Sequence, residues 1–166
     1  MLASSRTLIL GIGNTLLSDE GAGIHALEYL RSRHPDLPGV HYLDGGTLSF
    51  TLAGEIEDAD NLIVIDAARL DAPPGTVRCM TGQVMDRFLG TGRCSVHEVG
   101  LLDLMDIARL TDTFPRHRAL IGIQPDSVTW GDAPTPQVSN SFPEVAAHAL
   151  GLVEQWAGLG PNSVRS

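Results

Sequence analysis

The sequence predicts an α/β domain in which helices cover both faces of a twisted, mostly parallel β-sheet, forming a three-layer αβα sandwich. Short apolar runs typical of buried strands alternate with stretches of helical periodicity. The run at residues 62–65, Leu-Ile-Val-Ile, is typical of a central parallel strand that is covered on both faces. The 166 residues, 43% of them apolar, are enough for one full hydrophobic core. We therefore expect one domain, residues 1–166, with its core at about 7–157 and flexible tails at 1–6 and 158–166.

Five apolar stretches predict the strands. Residues 7–13 favour β-structure and end at glycine, and residues 40–43 run into the sequence Asp-Gly-Gly-Thr. The central run at 62–65 ends at an aspartate. After a Pro-Pro-Gly turn, residues 76–80 predict a strand at an edge of the sheet, and residues 119–123 predict another buried strand.

Helices are predicted between and after these strands. Residues 21–33 carry an apolar stripe at helical spacing, and helices are also expected at 48–56 and 144–156. Three side chains of a further helix at 99–110 are expected to face the core: Leu102, Met105 and Leu110. Residues 125–143 contain four prolines and predict a long loop.

The charge balance limits the possible partners. Eleven basic and twenty acidic residues give a net charge of −9, which disfavours nucleic acid and anionic membranes because both require a basic surface. Cys79 and Cys94 form no Cys-x-x-Cys pair, so we expect plain thiols in a reducing environment. No apolar run is long enough to span a membrane, and the N-terminus does not resemble a signal peptide. These features predict a soluble, cytoplasmic protein, with a monomer favoured.

The turn after the first strand resembles a nucleotide-binding loop only in part. Gly11 and Gly13 permit a sharp reversal of the chain, but Leu16 stands where a third glycine would complete the dinucleotide motif. Asp19 and Glu20 then place negative charge where a phosphate requires positive potential. We therefore expect no nucleotide here, and a preference for a cation.

Four polar residues are expected beyond the carboxyl ends of the strands, where open α/β sheets bind ligands: Glu20, Asp44, Asp66 and His97. Two carboxylates and an imidazole from Glu20, Asp66 and His97 would form a divalent-metal site, with zinc, nickel or iron more natural than magnesium. Three protein ligands leave coordination positions open for a substrate.

Each of these residues could equally have an ordinary structural role. Glu20 could favour a helix N-terminus through the helix dipole, Asp66 could cap a turn, and His97 could cap a helix or pack. His25 could support Glu20, although helix packing is the more natural role. Trp130 lies in the proline-rich segment, where it could anchor a partner or pack the loop down.

Several motifs taken together resemble those of the hydrogenase maturation proteases, which trim the C-terminus of the large subunit of nickel-iron hydrogenases. They occur in the family's order at residues 11–14, 18–21, 44–47, 65–67, 95–101 and 122–125. The resemblance runs from residue 8 to about residue 150 and implies a phosphorylase/hydrolase-like sheet between helices.

The resemblance also implies a site and a reaction. The family's metal-binding Glu, Asp and His fall on Glu20, Asp66 and His97. The metal would be nickel already inserted in the large-subunit precursor, for which zinc or cadmium could substitute in crystals, and not a permanent cofactor. Cleavage would remove a short C-terminal extension. Our own candidates for the catalytic carboxylates are Asp66 and Glu20, with Asp44 in a supporting role.

Two features depart from the family's pattern. Glu98 replaces the Gln that usually follows the metal-binding histidine, and residues 125–143 are longer and richer in proline, which could alter substrate recognition. Three alternatives stay open: a nickel-binding chaperone that does not cleave, a peptidase of the same fold acting on another protein, and a nucleotide-binding module, which the acidic pair makes improbable.

Overall fold

The computed structural model describes residues 5–46, 50–94 and 100–159. The strands in this part of the chain are β1 (Thr7–Ile12), β2 (Val40–Gly46), β3 (Asn61–Ala67), β4 (Val77–Thr81) and β5 (His117–Ile123). The α-helices are α1 (Ala22–Arg33), α2 (Leu52–Glu57), α3 (Gly82–Leu89), α4 (Leu101–Leu110), α5 (Pro136–Ser139) and α6 (Phe142–Leu159), and a 3-10 helix, Ser18–Gly21, precedes α1. Within the described residues, no helix is both long and apolar enough to cross a membrane.

The five strands form one sheet in the order β2-β1-β3-β5-β4. β1 pairs in parallel with β2 and β3, and β3 pairs in parallel with β5. β4 lies at the edge of the sheet, as predicted, and it runs antiparallel to β5. The predicted mostly parallel α/β sheet is confirmed, and four parallel strands end at one edge of it.

Side chains of β3 alternate between two cores. Leu62 and Val64 pack on one face of the sheet with residues of α3 and α4. Ile63 and Ile65 pack on the other face with residues of α1 and α6. This burial on both faces explains why the sequence of β3 is continuously apolar rather than alternating.

The predicted inward face of α4 was partly wrong. Leu102 is 40% exposed and Leu110 is 86% exposed, whereas Met105 is buried as predicted. The buried residues of this helix are Leu101, Leu104, Met105 and Ala108. Burial of Leu101 and Leu104 was not predicted. This short helix contains several leucines, and the sequence periodicity alone does not determine which of them face the core.

The structure differs from the predicted helices at three other places. α3 was missed because it follows β4 without a loop and is only eight residues long. The segment at 125–143 is not all loop, because it contains α5 and the start of α6, and proline is tolerated in the first turn of each helix. Of the helix predicted at 48–56, the structure places α2 at Leu52–Glu57, and residues 47–49 lie outside the described part of the chain.

Candidate functional site

Glu20 is placed at the carboxyl edge of the sheet by a tight turn after β1. Gly13 has φ 147°, and a Cβ at this position would overlap with the carbonyl oxygen of Glu20. That carbonyl accepts a hydrogen bond of 3.1 Å from the backbone N–H of Asn14. Glycine is therefore required for close packing of two backbone segments, which fixes the position of the half-buried Glu20.

Asp66 is the last residue but one of β3 and is only 3% exposed. It pairs in register with Gly122 of β5. An aspartate inside an otherwise apolar, doubly covered strand has to be offset by specific interactions, because burying an ionised carboxylate is costly. This position distinguishes Asp66 from an aspartate that caps an exposed turn.

A cavity of about 250 Å³ opens at this edge of the sheet. Its lining residues are Glu20, Ala67, Ala68, Arg69, Gly92, Arg93, Cys94 and Pro125. A larger cavity of about 390 Å³ lies at the opposite edge, where Asn61 begins β3 and His117 begins β5. The smaller cavity is the candidate site because parallel sheets bind ligands beyond the carboxyl ends of their strands.

One wall of the cavity comes from the segment that precedes the predicted metal-binding histidine. Cys94 forms an antiparallel bridge with Ala68, and the N–H of Arg69 donates a 2.8 Å hydrogen bond to the carbonyl of Arg93. The chain therefore enters residues 95–99 from a point fixed beside the end of β3.

His97 and Glu98 lie in residues 95–99, outside the described part of the chain. Among the residues that are described, no three His, Cys, Asp or Glu side chains form a group that could hold a metal ion. Convergence of Glu20, Asp66 and His97 therefore stays a prediction.

Burial disfavours charge on two side chains of the cavity. It raises the pKa of the Glu20 carboxyl. Burial, followed by the nearby charge of Asp66, raises the pKa of the Cys94 thiol to about 12. Cys94 is consequently a neutral thiol at neutral pH, as the sequence predicted, and lacks the thiolate character of a nucleophile.

Of the remaining candidates, Asp44 has a local hydrogen-bond partner and Nε2 of His25, among the described residues, does not. Oδ1 of Asp44 accepts a 2.8 Å hydrogen bond from the N–H of Gly46, so this carboxylate supports the end of β2, two strands from β3. His25 is half-buried on α1, and its buried Nε2 has no hydrogen-bond partner within the described residues. The structure thus places Glu20 in the cavity wall and Asp66 next to the lining residue Ala67, and places Asp44 within β2.

Sequence reasoning gave no role to Asp19, which is fully buried. Its Oδ2 accepts hydrogen bonds from the N–H groups of Asp126 and Ser127, at 2.8 and 2.9 Å. Its Oδ1 accepts a 2.7 Å hydrogen bond from the N–H of Thr135, whose hydroxyl also donates to the carboxylate. Burial acts to raise the pKa of Asp19, but these hydrogen bonds together lower it, so the group stays ionised.

Asp19 belongs to a wider contact with residues 126–135, which we call the 126–135 loop. Leu17 and Gly131 form a parallel bridge, with Gly131 N–H donating to Leu16 and Ser18 N–H donating to Gly131, both at 2.9 Å. The Ser18 hydroxyl donates to the carbonyl of Thr129 at 2.8 Å. These contacts span more than 100 residues of sequence, so no local motif indicated them.

A match to a protein-family model identifies the family of this chain. The model described as hydrogenase maturation protease matches residues 24–152. The chain belongs to this family. The resemblance stated from the motifs is therefore confirmed, and the chain is assigned to a family of proteases with a role in hydrogenase maturation.

Individual relatives agree with this assignment. Hydrogenase expression/formation protein HupD of Bradyrhizobium diazoefficiens is 36% identical over 153 residues, covering 92% of this chain and 80% of the relative. HupM of Azotobacter chroococcum is 40% identical over 123 residues, or 74% of this chain, but the match spans only 59% of that relative. The hydrogenase-maturating endopeptidase HybD of Escherichia coli has a similar structure, with a TM-score of 0.83, 32% identity and coverage of 90% of this chain and 93% of HybD.

Proposed function

We propose that this chain is the endopeptidase that removes the C-terminal extension of a nickel-iron hydrogenase large-subunit precursor after nickel has been inserted. Membership of the protease family supports the reaction class. The observation that carries the proposal is the cavity beyond β3, which has Glu20 in its wall and Asp66 beside it. A protein chain can reach this cavity because it opens at an edge of the sheet.

Nickel in this proposal is part of the substrate. Glu20, Asp66 and His97 bind it, and two carboxylates with an imidazole suit a divalent ion of this kind. Burial disfavours the negative charge on Glu20, and Asp66 is almost fully buried, so a cation between them would offset the cost of both charges. A precursor without nickel lacks this anchor, which makes cleavage conditional on metal loading.

Hydrolysis then proceeds without a covalent enzyme intermediate. The oxygen of a water molecule bonds to the scissile carbonyl carbon, the amide C–N bond breaks, and the departing nitrogen takes up a proton. Asp66 or Glu20 accepts a proton from the attacking water and donates it to the departing nitrogen, and polarisation of the carbonyl by the cation stabilises the developing oxyanion. The neutral thiol of Cys94 fits this scheme, since a cysteine mechanism requires a thiolate. Asp44 remains a candidate supporting carboxylate.

The test compares Glu20→Gln, Asp66→Asn and His97→Ala with the wild type on nickel-loaded precursor. We expect each variant to slow cleavage by at least about a hundredfold, because each removes one of three ligands. The matched control is Asp36→Asn, which neutralises an exposed carboxylate in the turn after α1. The measurement is the mass of the large subunit over time.

Three outcomes oppose the proposal. Cleavage by all three variants at the wild-type rate would exclude the metal anchor. Nickel binding with no change in precursor mass would indicate a chaperone that does not cleave. Loss of activity in Asp36→Asn to the same extent would show that the assay reports general loss of charge.

A further inference from the structure

Three exposed apolar side chains belong to the two chain segments that also supply Glu20 and Pro125 to the cavity wall. Leu16 is 59% exposed, Val128 is 54% exposed and Trp130 is 80% exposed. Leu16 lies beside the 126–135 loop because its carbonyl accepts the N–H of Gly131. We call these three residues the Trp130 platform. Large apolar side chains left in water at one place commonly mark an interaction surface.

The backbone beneath the platform is held in one conformation. The 126–135 loop is tied to residues 16–19 by the Leu17–Gly131 bridge and by the buried carboxylate of Asp19. Fixing the loop in advance reduces the entropy that is lost when a partner binds.

The two chain segments that carry the platform also contribute residues to the cavity wall. Glu20, in the cavity wall, directly follows the anchor Asp19. Pro125, also in the wall, directly precedes the 126–135 loop. A protein whose chain end enters the cavity therefore has neighbouring parts of its surface over the platform.

Charge at the platform indicates the chemistry of the partner. Asp126 and Asp132 are exposed and flank Val128 and Trp130 in sequence. The whole chain carries a net charge of −9, so a basic partner surface is attracted and an acidic one is repelled. A partner surface that complements the platform is an apolar segment flanked by lysine or arginine.

We propose that the Trp130 platform docks the hydrogenase large-subunit precursor through an apolar segment flanked by basic residues. The proposal rests on the proposed function, since it takes the cavity to be the place where the precursor is cut. Trp130 is the central contact, because aromatic side chains dominate the binding energy of many interfaces. The negative charges of Asp126 and Asp132 attract the basic residues of the precursor and orient it as it binds.

The experiment uses two identical substitutions at opposite edges of the sheet. Leu16→Ala truncates a platform residue, and Leu110→Ala truncates an exposed leucine at the end of α4, near the start of β5. Trp130→Ala is the stronger variant. With nickel-loaded precursor, we expect KM to rise about tenfold in Trp130→Ala and severalfold in Leu16→Ala, with kcat unchanged within about twofold. Leu110→Ala should match the wild type in both constants.

A second variant tests the charges. In Asp126→Asn/Asp132→Asn, we expect KM to rise and to depend less on salt than in the wild type. The docking proposal is overturned if Trp130→Ala and Leu110→Ala share the wild-type KM, or if the double variant keeps the wild-type salt dependence. Failure of the proposed function is a different result, in which the wild type leaves the precursor uncut. Direct binding of the precursor to Glu20→Gln with and without Trp130→Ala then tests docking separately from cleavage.

Discussion

At the scale of single residues, the adjacent carboxylates of Asp19 and Glu20 have different roles. Glu20 lines the cavity, whereas Asp19 is fully buried and holds the neighbouring loop. The sequence predicted the position of Glu20, because it follows a strand and a glycine turn. The role of Asp19 was not predictable, since its hydrogen-bond partners lie 107 to 116 residues away.

Replacing Asp19 with the isosteric Asn should destabilise the protein. Both carboxylate oxygens accept backbone N–H groups, so an Asn side chain in either orientation would point its NH₂ group at a donor. We expect Asp19→Asn to lower the free energy of unfolding by about 2–3 kcal/mol. Thr135→Val, which removes a hydroxyl donor but keeps the Thr135 N–H, should cost only about 1 kcal/mol.

Urea unfolding of the two variants beside the wild type measures this difference. Equal midpoints for Asp19→Asn and the wild type would show that the loop is not held by this carboxylate. A larger loss in Thr135→Val than in Asp19→Asn would assign the anchoring role to the threonine instead.

At the scale of elements, an ion-pair cluster ties β5 to two helices. Asp86 of α3 accepts hydrogen bonds from Arg118 of β5 at 2.6 and 2.8 Å, and from Arg109 of α4 at 3.2 Å. Both guanidinium groups also lie over the ring of Phe114. The side chains of Arg118 and Asp86 are only 13% and 22% exposed, so solvent screens this pair weakly.

Asp86→Asn should cost about 2 kcal/mol of unfolding free energy at neutral pH, because it leaves the guanidinium of Arg118 buried without its countercharge. Asp106→Asn, at an exposed position on α4, is the matched control and should have little effect. Chemical unfolding at pH 7 measures the loss of stability in both variants. A loss in Asp86→Asn no greater than in the control would show that the cluster contributes no net stability.

The Asp86–Arg118 pair also makes the free energy of unfolding depend on pH. The hydrogen bond from Arg118 is the main cause that lowers the pKa of Asp86 below 3.8, although burial acts in the opposite direction. The contribution of the pair is therefore complete above about pH 4 and is lost as the pH falls through the lowered pKa of the folded state. The difference between wild type and Asp86→Asn should stay constant from neutral pH down to that range and shrink below it.

The elements themselves were predicted unevenly from the sequence. Strands that are buried on both faces were recognised correctly, because a short unbroken apolar run such as that of β3 is typical of a central parallel strand. The inward face of α4 was predicted only in part, and α3 was not predicted. Short helices depend on tertiary packing more than on their own periodicity. The 126–135 loop was recognised as irregular. Its hydrogen bonds to residues 16–19 were not predicted, because they join parts of the chain that are distant in sequence.

At the scale of the whole molecule, the order of strands creates the site. β1 and β3 are neighbours, so Glu20, which follows β1, and Asp66, near the end of β3, reach the same edge of the sheet. Alternation of strands and helices predicted that shared edge, and parallel pairing explains it. The position of the cavity wall at 92–94 could not be predicted, because it depends on contacts with residues that are distant in sequence: the Cys94–Ala68 bridge and the hydrogen bond from Arg69 to Arg93.

The central proposal is that this chain recognises nickel carried by the large-subunit precursor. The most direct test incubates the purified protein with the same large-subunit precursor prepared with and without nickel, and follows the mass of the precursor. We expect the nickel-loaded form to lose its C-terminal extension and the nickel-free form to stay intact, because only the former offers a cation to Glu20, Asp66 and His97. Cleavage of both forms at the same rate would contradict the proposal.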